Sequence, residues 1–331
     1  MNQHVSADVI VIGAGITGLT AANVVARSGA SVIVLDQGHD IGGRMASHSL
    51  KLDSGASVTV DHGAQFFTAK GLRFRNEVAG WLRAGHVKRW FRTASSRDPA
   101  TRFCGVPSMR AVPDYLARAL DVRLGQCVVS IRREAGGWVV ANDAGATLSS
   151  PHLIVTAPLP QALALMHGVI APESEWARAS RGDNPVFAPC VTGVFVLNGP
   201  SGLSFPGGAH IRESLVNWVC DNSIKGVSGN VHVVTAHAVP AFSSRWWTES
   251  QQALGDELTL DVERRVDSKI VQSVFHGWRH SLALRTLPGV CGVVHDKSSL
   301  VLAGDAFVSP KVEGAFESGT EAGLFVVSRL R

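Results

Sequence analysis

An α/β fold, in which a parallel sheet is interrupted by a mixed α+β region, is predicted by three features of the 331-residue sequence. Near the start, the apolar run Val9-Ile10-Val11-Ile12 leads directly into a glycine-rich turn and a helix-spaced apolar series. Near the end, a second such run, Ser299 to Ala303, precedes another helical stretch. Between them, from about Pro185 to His280, strand-like runs alternate with Gly, Pro and Asn turns. Continuous apolar runs belong to parallel strands buried on both faces, whereas frequent turns belong to antiparallel ones.

Taken in order, the elements support this division. Val9 to Ile12 is a strand, Gly13 to Gly18 a turn, and Leu19, Ala22 and Val25 mark a helix that Gly29 stops. Ser31 to Leu35 is the next buried strand, which completes a right-handed βαβ unit. Phe66 to Gly85 reads as mainly helical, Val87 to Phe91 as a short strand, and Met109 to Leu120 as a helix. A three-stranded meander follows over Cys127 to Arg133, Trp138 to Asn142 and Ala146 to Leu148, with turns at Gly136-Gly137 and Asp143 to Gly145. His152 to Thr156 is another buried strand, and Pro158 opens a helix where its missing N–H costs nothing. Within the antiparallel region one amphipathic helix spans roughly Glu249 to Asp267, and Val312 to Leu330 forms the terminal helix.

Composition excludes several classes of function. Hydrophobic residues are 45% and charged residues 18%, an ordinary globular balance able to bury a large core. The net charge of +4 is slight and its Lys and Arg residues are scattered. A nucleic-acid binder would concentrate them on one stripe, so none is expected as a partner. The five cysteines, Cys104, Cys127, Cys190, Cys220 and Cys291, lie far apart with no Cys-x-x-Cys pair. That spacing suggests neither a metal site nor a dithiol centre, and reduced thiols are expected. The apolar Ala7 to Ala26 stretch lacks a basic leader and is broken by glycines and threonines, so no membrane span is expected. The expected location is cytoplasmic.

The first turn carries the chemistry. Gly13-Ala14-Gly15-Ile16-Thr17-Gly18 fits G-x-G-x-x-G after a strand and at the opening of a helix. In that setting the first glycine makes the tight turn, the second admits a pyrophosphate against the backbone, and the third packs helix on strand. Asp36 closes the second strand, placed to accept both hydroxyls of an adenosine ribose and to repel a 2′-phosphate; Gln37 beside it is assigned to the same site. Gly42-Gly43-Arg44-Met45 follows, a segment that a plain NAD dehydrogenase does not need; Arg44 could fork onto a phosphate. Ala303-Gly304-Asp305 after the late strand can bring Asp305 to the ribityl or pyrophosphate region. Glu313-Gly314-Ala315 would then begin a helix whose positive end faces the N1–C2 edge of a flavin. FAD is therefore the expected cofactor, held by a Rossmann-type domain.

These motifs, in this order, make the chain similar to the FAD-dependent amine oxidase superfamily and, within it, to its renalase-like branch. Further matches are Asp61-His62-Gly63-Ala64-Gln65-Phe66-Phe67-Thr68, Val106-Pro107 with Met109, and Trp278-Arg279-His280-Ser281, so the resemblance covers nearly the whole chain. It implies a discontinuous FAD-binding domain of residues 1–70, 105–165 and 286–331, and an inserted substrate domain of residues 71–104 and 166–285. It implies that Gly63, Ala64 and Gln65 lie beside the flavin, that Val128 contacts the adenine side, and that Thr156 to Pro158 flank the cofactor. His62 stands where an apolar residue is common in the superfamily and is read as a packed histidine. Trp278, Arg279 and His280 are the substrate-orienting candidates: His280 for a nicotinamide carboxamide, Arg279 for a phosphate. Trp218 and Asn222 are weaker candidates, and Met109 is read as core.

The resemblance implies oxidation of 2- or 6-dihydroNAD(P) to NAD(P)+ by hydride transfer to flavin N5, with O2 reduced to H2O2 and no general base. Two alternatives stay open. An amine oxidase acting on a small amine often has a cage of two tyrosines, but Tyr115 is the single tyrosine here. A non-catalytic flavin-binding module is the other. Covalently flavinylated members of the superfamily carry a cysteine in the segment that matches Val312 to Gly319; none occurs here, so the resemblance implies non-covalently bound FAD.

Overall fold

The computed structural model describes residues 5–92, 100–171, 173–174 and 187–330. Pro185, where the antiparallel region is expected to open, lies outside those residues. Among the described residues a six-stranded sheet runs in the order Gly292–His295, Leu300–Leu302, His152–Val155, Val9–Ile12, Val32–Leu35, Asp121–Arg123. All neighbours are parallel except the first pair. Every residue of Val9–Ile12 is buried, as a strand covered on both faces demands. Its side chains alternate between two cores. Val9 and Val11 pack with Leu19, Ala22 and Val25 of the first helix, Ile16–Arg27. Ile10 and Ile12 face Trp138 and Leu148 of a four-stranded sheet on the other side. Each fully buried side chain of this kind stabilises the fold by about 1.5–3 kcal/mol.

The first helix and the last, Val312–Val327, cross at glycines. A Cβ on Gly319 would run into the Thr17 carbonyl, and one on Gly323 into Val24 and the Ala21 carbonyl. The pairing of 17 with 319 and of 21 with 323 makes the two helices parallel, so both N-termini point the same way.

The meander forms as Val128–Glu134, Gly137–Asn142 and Thr147–Ser150, joined by a parallel pairing of Val5–Ser6. Gln251–Glu263 is the helix of the antiparallel region, capped by the Ser250 hydroxyl on the Ala253 N–H. The antiparallel sheet has the order Gly208–His210, Val216–Asp221, Val233–Ala238, Phe187–Leu197, Ile270–Ala283, which leaves Ile270–Ala283 as an edge. Two hairpins, Ser47–Lys51 with Ser57–Asp61 and Val87–Arg92 with Thr101–Gly105, complete the sheets.

One expectation needs correction. Residues 66–71 are not helical; the helix there is Leu72–Arg83. Residues 61–68 alternate strictly between buried and half-buried positions, a period of two that suits an extended strap and no helix. Phe67 confirms this, exchanging both backbone hydrogen bonds with Phe103 at 2.9 and 2.8 Å.

Candidate active site

A cavity of about 990 Å³ opens at the carboxyl ends of the parallel strands and is closed opposite by the antiparallel edge strand. Ligands of doubly wound sheets lie at those strand ends. The volume stands at the top of the range of about 300–1,000 Å³ usual for small-molecule and cofactor sites.

One end is built from backbone. Gly13 has φ +111°, a conformation L side chains rarely adopt, and its N–H donates to the Leu35 carbonyl at 2.7 Å. The Thr156 hydroxyl donates to the carbonyls of Ile12 (2.9 Å) and Gly13 (3.3 Å), which locks the turn from the neighbouring strand. Gly18 packs so tightly that a Cβ would strike the Gly13 carbonyl. Gly15, Ile16 and Thr17 line the cavity at the first helix N-terminus, where no side chain caps the free N–H groups. Such an end binds anions. Asp36 Oδ2 accepts the Ala14 N–H at 2.6 Å and Oδ1 accepts the Gly38 N–H at 2.7 Å, so the carboxylate is fixed at the cavity wall. Gln37 and Val128 also line this end.

The middle is cross-braced. Gly43–Met45 forms a 3-10 turn on the wall. Arg44 forks onto Asp305, at 2.8 Å through one nitrogen and 2.6 Å through the other, and donates to the Ser281 carbonyl at 3.2 Å. The guanidinium assigned to a phosphate is therefore committed to Asp305. The pair ties the segment after the second strand to the late strand and the edge strand. The last helix supplies Val312 and Ala315, again from an N-terminus without a side-chain cap.

The opposite end is built from side chains. Ala64, Phe66 and Thr68 project from the half-buried positions of the strap. Trp278 faces them from the edge strand, with its ring N–H between the Thr192 hydroxyl (3.2 Å) and the His62 carbonyl (3.3 Å). The edge strand bulges here: Ala188 pairs Leu282 and Cys190 pairs Trp278, so Arg279, His280 and Ser281 stand opposite Pro189 alone. Proline has no N–H for the ladder, and bulges gather beside active sites. Arg279 and His280 both contribute to the wall, although the Arg279 guanidinium sits 5.0 Å over the Trp247 ring. His280 stacks on Phe187 at 5.8 Å; burial, then Arg44 and Arg279, hold its pKa below the ordinary value.

Seven expected cofactor residues lie off the lining. Ala14 and Gly18 act through the turn just described. Gly63 lies against the Arg44 carbonyl, and Gly314 against Ser309. Gly304 borders a small adjoining void of about 10 Å³ with Asp305. Glu313 turns away and accepts the Lys70 N–H at 3.0 Å and the Gly71 N–H at 2.5 Å, which fastens the strap to the last helix. Gln65 points into the interior, where its Oε1 accepts from Lys225 Nζ at 3.2 Å. The weaker candidates Trp218 and Asn222 are also internal, as is Met109, in keeping with its reading as core. Trp218 is buried beside Phe66 (ring centroids 5.3 Å), Asn222 Oδ1 accepts the Asp61 N–H at 3.0 Å, and Met109 is fully buried.

His62 packs on Trp278 at 5.1 Å and His276 at 5.2 Å, as the packed reading requires. Burial, then the neighbouring His276 and His48, push its pKa down to about 3. His237 behind it is pushed down to about 4, chiefly by burial. Lys225 is the opposite case. Burial alone would lower its pKa, but the Asp61 carboxylate and its hydrogen bond carry it above the ordinary lysine value.

With this geometry in hand, the kinship of the chain can be stated. Residues 11–102 match the NAD(P)-binding Rossmann-like domain, and residues 86–322 match the flavin containing amine oxidoreductase family. The chain belongs to that flavin-containing family. It is a flavin-dependent oxidoreductase of α/β fold, and the resemblance read from its motifs holds. Renalase of Mus musculus is 24% identical over 94% of this chain and 96% of its own length. Among solved structures, a putative protoporphyrinogen oxidase from Exiguobacterium has a TM-score of 0.71 at 13% identity, covering 99% of both chains. Putrescine oxidase bound to putrescine has a TM-score of 0.70 at 14% identity, covering 98% of this chain and 100% of that one. Those two likenesses establish the fold. Among the described residues no helix is long and apolar enough to cross a membrane.

Sequence reasoning missed Phe66, Thr68, Arg102, Gln126, Gln161 and Lys311, all on the cavity wall. For Phe66 and Thr68 little signal existed, because the two-residue alternation of residues 61–68 is one of burial and not of residue type. Pro189 inside a strand-like run was a signal for the bulge.

Proposed function

We propose that the chain binds FAD non-covalently and oxidises 2- or 6-dihydroNAD(P) to NAD(P)+, with O2 as the final acceptor. The reading divides the chain into FAD-binding segments 1–70, 105–165 and 286–331 and substrate-side segments 71–104 and 166–285. The residues suit a flavin dinucleotide. Asp36 would hold the adenosine ribose, the uncapped first helix would hold the pyrophosphate, and the uncapped last helix would stabilise negative charge on the reduced ring. Among the described lining residues there is no cysteine to form a covalent link. Bound FAD supplies a two-electron acceptor, and the substrate hydride with one proton leaves on O2 as H2O2.

The observation that carries the choice of substrate is the charge of the wall. Arg102, 5.3 Å over the Phe66 ring, and Lys311, at the start of the last helix, line the wall, and the carboxylates among the described lining residues are Asp36 and Asp305 alone. Asp305 is taken by Arg44, and Asp36 belongs to the nucleotide end. Among the described lining residues an ammonium substrate finds no carboxylate outside those two, while a phosphorylated one meets the positive charge of Lys311. Tyr115 is surface-exposed, stacks on His86 at 4.6 Å and is no part of an aromatic cage. Trp278 and Phe66 would instead hold the dihydropyridine ring flat, which is a positioning task. A hydride leaves carbon without deprotonating a heteroatom, and among the described lining residues no carboxylate but Asp36 and Asp305 is present, which suits that reaction.

Anaerobic stopped-flow mixing of the yellow protein tests this reading. Rapid bleaching by 2- or 6-dihydroNAD(P), with slow bleaching by NADH and by simple amines, is expected. Rapid bleaching by amines alone overturns the choice of substrate.

A further inference from the structure

The residues of the strap that face away from the cavity form a second constellation, with no part in the chemistry above. Asp61 and Lys225 are both fully buried, with Nζ 2.7 Å from Asp61 Oδ2. A charge so placed is costly unless every group is paired, and here the pairing is thorough. Asp61 Oδ1 accepts the Ser47 hydroxyl at 2.6 Å and the Met109 N–H at 2.9 Å. The Asp61 carbonyl accepts Gln65 Nε2 at 2.7 Å and the Thr235 hydroxyl at 2.9 Å. Lys225 reaches a second strap residue through Gln65 Oε1 at 3.2 Å, and its ammonium lies 5.2 Å over the Trp90 ring.

The alternation of the strap gives this network its meaning. Asp61, Gly63, Gln65 and Phe67 are buried, and the residues between them include the wall residues Ala64, Phe66 and Thr68. Lys225 grips Asp61 and Gln65, which bracket the Gly63–Ala64 step. A slip of one residue would turn the wall residues inward. Lys225 belongs to a short helix of the antiparallel region, Asn222–Lys225, whereas the strap continues from the hairpin that follows the Gly43–Met45 turn. The grip therefore spans both halves of the molecule.

We infer that Lys225 is a positioning residue: through Asp61 and Gln65 it fixes the register of the strap that presents Ala64, Phe66 and Thr68 to the cofactor cavity. The inference rests on the flavin reading for its consequence, but its structural content can be measured without flavin. Hydrogen exchange by mass spectrometry on flavin-free wild type and Lys225→Met compares the strap peptide 61–68 with the parallel strands 9–12 and 300–302. The variant is expected to exchange at least tenfold faster in the strap while the parallel strands change less than twofold. Its FAD dissociation constant is expected to rise at least tenfold. Asp61→Asn with Lys225→Met removes both charges; it is expected to recover thermal stability while the strap stays fast-exchanging, because the grip is still missing. Gln65→Met leaves the ion pair intact and removes one anchor, so it serves if Lys225→Met does not fold; a three- to tenfold faster strap is expected. Equal acceleration of strap and sheet, or an unchanged strap with FAD affinity within twofold, overturns the inference and leaves an ordinary buried ion pair. Wild type that takes up no FAD defeats the flavin reading instead, whatever the exchange data show.

Discussion

The two ends of the cavity are made differently. At the glycine-turn end the wall is mainly backbone of the Gly13–Gly18 turn with its uncapped helix start, joined by the Asp36 carboxylate and the side chains of Gln37 and Val128. At the far end it is made of side chains, Phe66, Thr68 and Trp278, carried by an extended strap and a bulged edge strand. Backbone donors demand glycine at fixed spacing, and so leave a trace that can be read in the sequence. Side-chain walls demand only a shape, which many sequences provide. The difference teaches that the glycine-turn end of the cavity is written locally in the sequence, while the side-chain end is written through tertiary contacts; on the proposed reading these are the cofactor and substrate ends.

Substitutions at the two ends should therefore separate. The largest effect is expected from Gly18→Val, whose side chain would drive the first helix off its strand; FAD uptake, followed by flavin fluorescence, should be abolished. Asp36→Ala should follow. Hydrogen bonds to a charged acceptor contribute about 1.5–3 kcal/mol each, so losing two to the ribose should weaken FAD binding by roughly 100-fold or more. Retention of FAD through purification would remove the ribose role from Asp36. Trp278→Ala, at the other end, should lower the limiting rate of flavin reduction roughly tenfold through lost orientation. FAD affinity should stay within threefold; a parallel loss of both would erase the distinction between the ends.

The smallest effect concerns the histidines behind Trp278. Burial holds His62 at about 3 and His237 at about 4, against an unfolded value near 6.5. Between those limits the unfolded chain binds more protons than the folded one, so stability rises with pH and is lost as pH falls below about 6.5. From pH 8 to pH 6 the loss is roughly 0.8 kcal/mol for each histidine, a few degrees in Tm for the pair. His62→Asn with His237→Asn should flatten that slope, as read by thermal unfolding at the two pH values.

Much of the parallel half was legible. Val9–Ile12 and Leu300–Leu302 announce themselves because burial on both faces leaves no room for polar residues. Most fingerprint positions reach the wall for the same local reason. The strap was misread because Phe66 to Gly85 contains enough apolar residues at helical spacing to suggest a helix, while the two-residue alternation of residues 61–68 lies in burial and not in residue type. Gln65 and Glu313 were placed at the cofactor, yet each serves a partner distant in sequence: Lys225 for Gln65, and the Lys70 and Gly71 N–H groups for Glu313. No local pattern encodes such pairings. Arg44 is the intermediate case, since its position on the wall follows from the motif but its commitment to Asp305 comes from the fold.

The central claim is that segments from both ends of the chain close around one flavin dinucleotide. Isothermal titration of the flavin-free protein with FAD, set beside titrations with FMN and NAD+, measures it directly. Saturation at one FAD per chain, with FMN and NAD+ binding at least a hundredfold more weakly, is the result this account requires. A folded protein that takes up no FAD, or binds NAD+ as tightly, contradicts it.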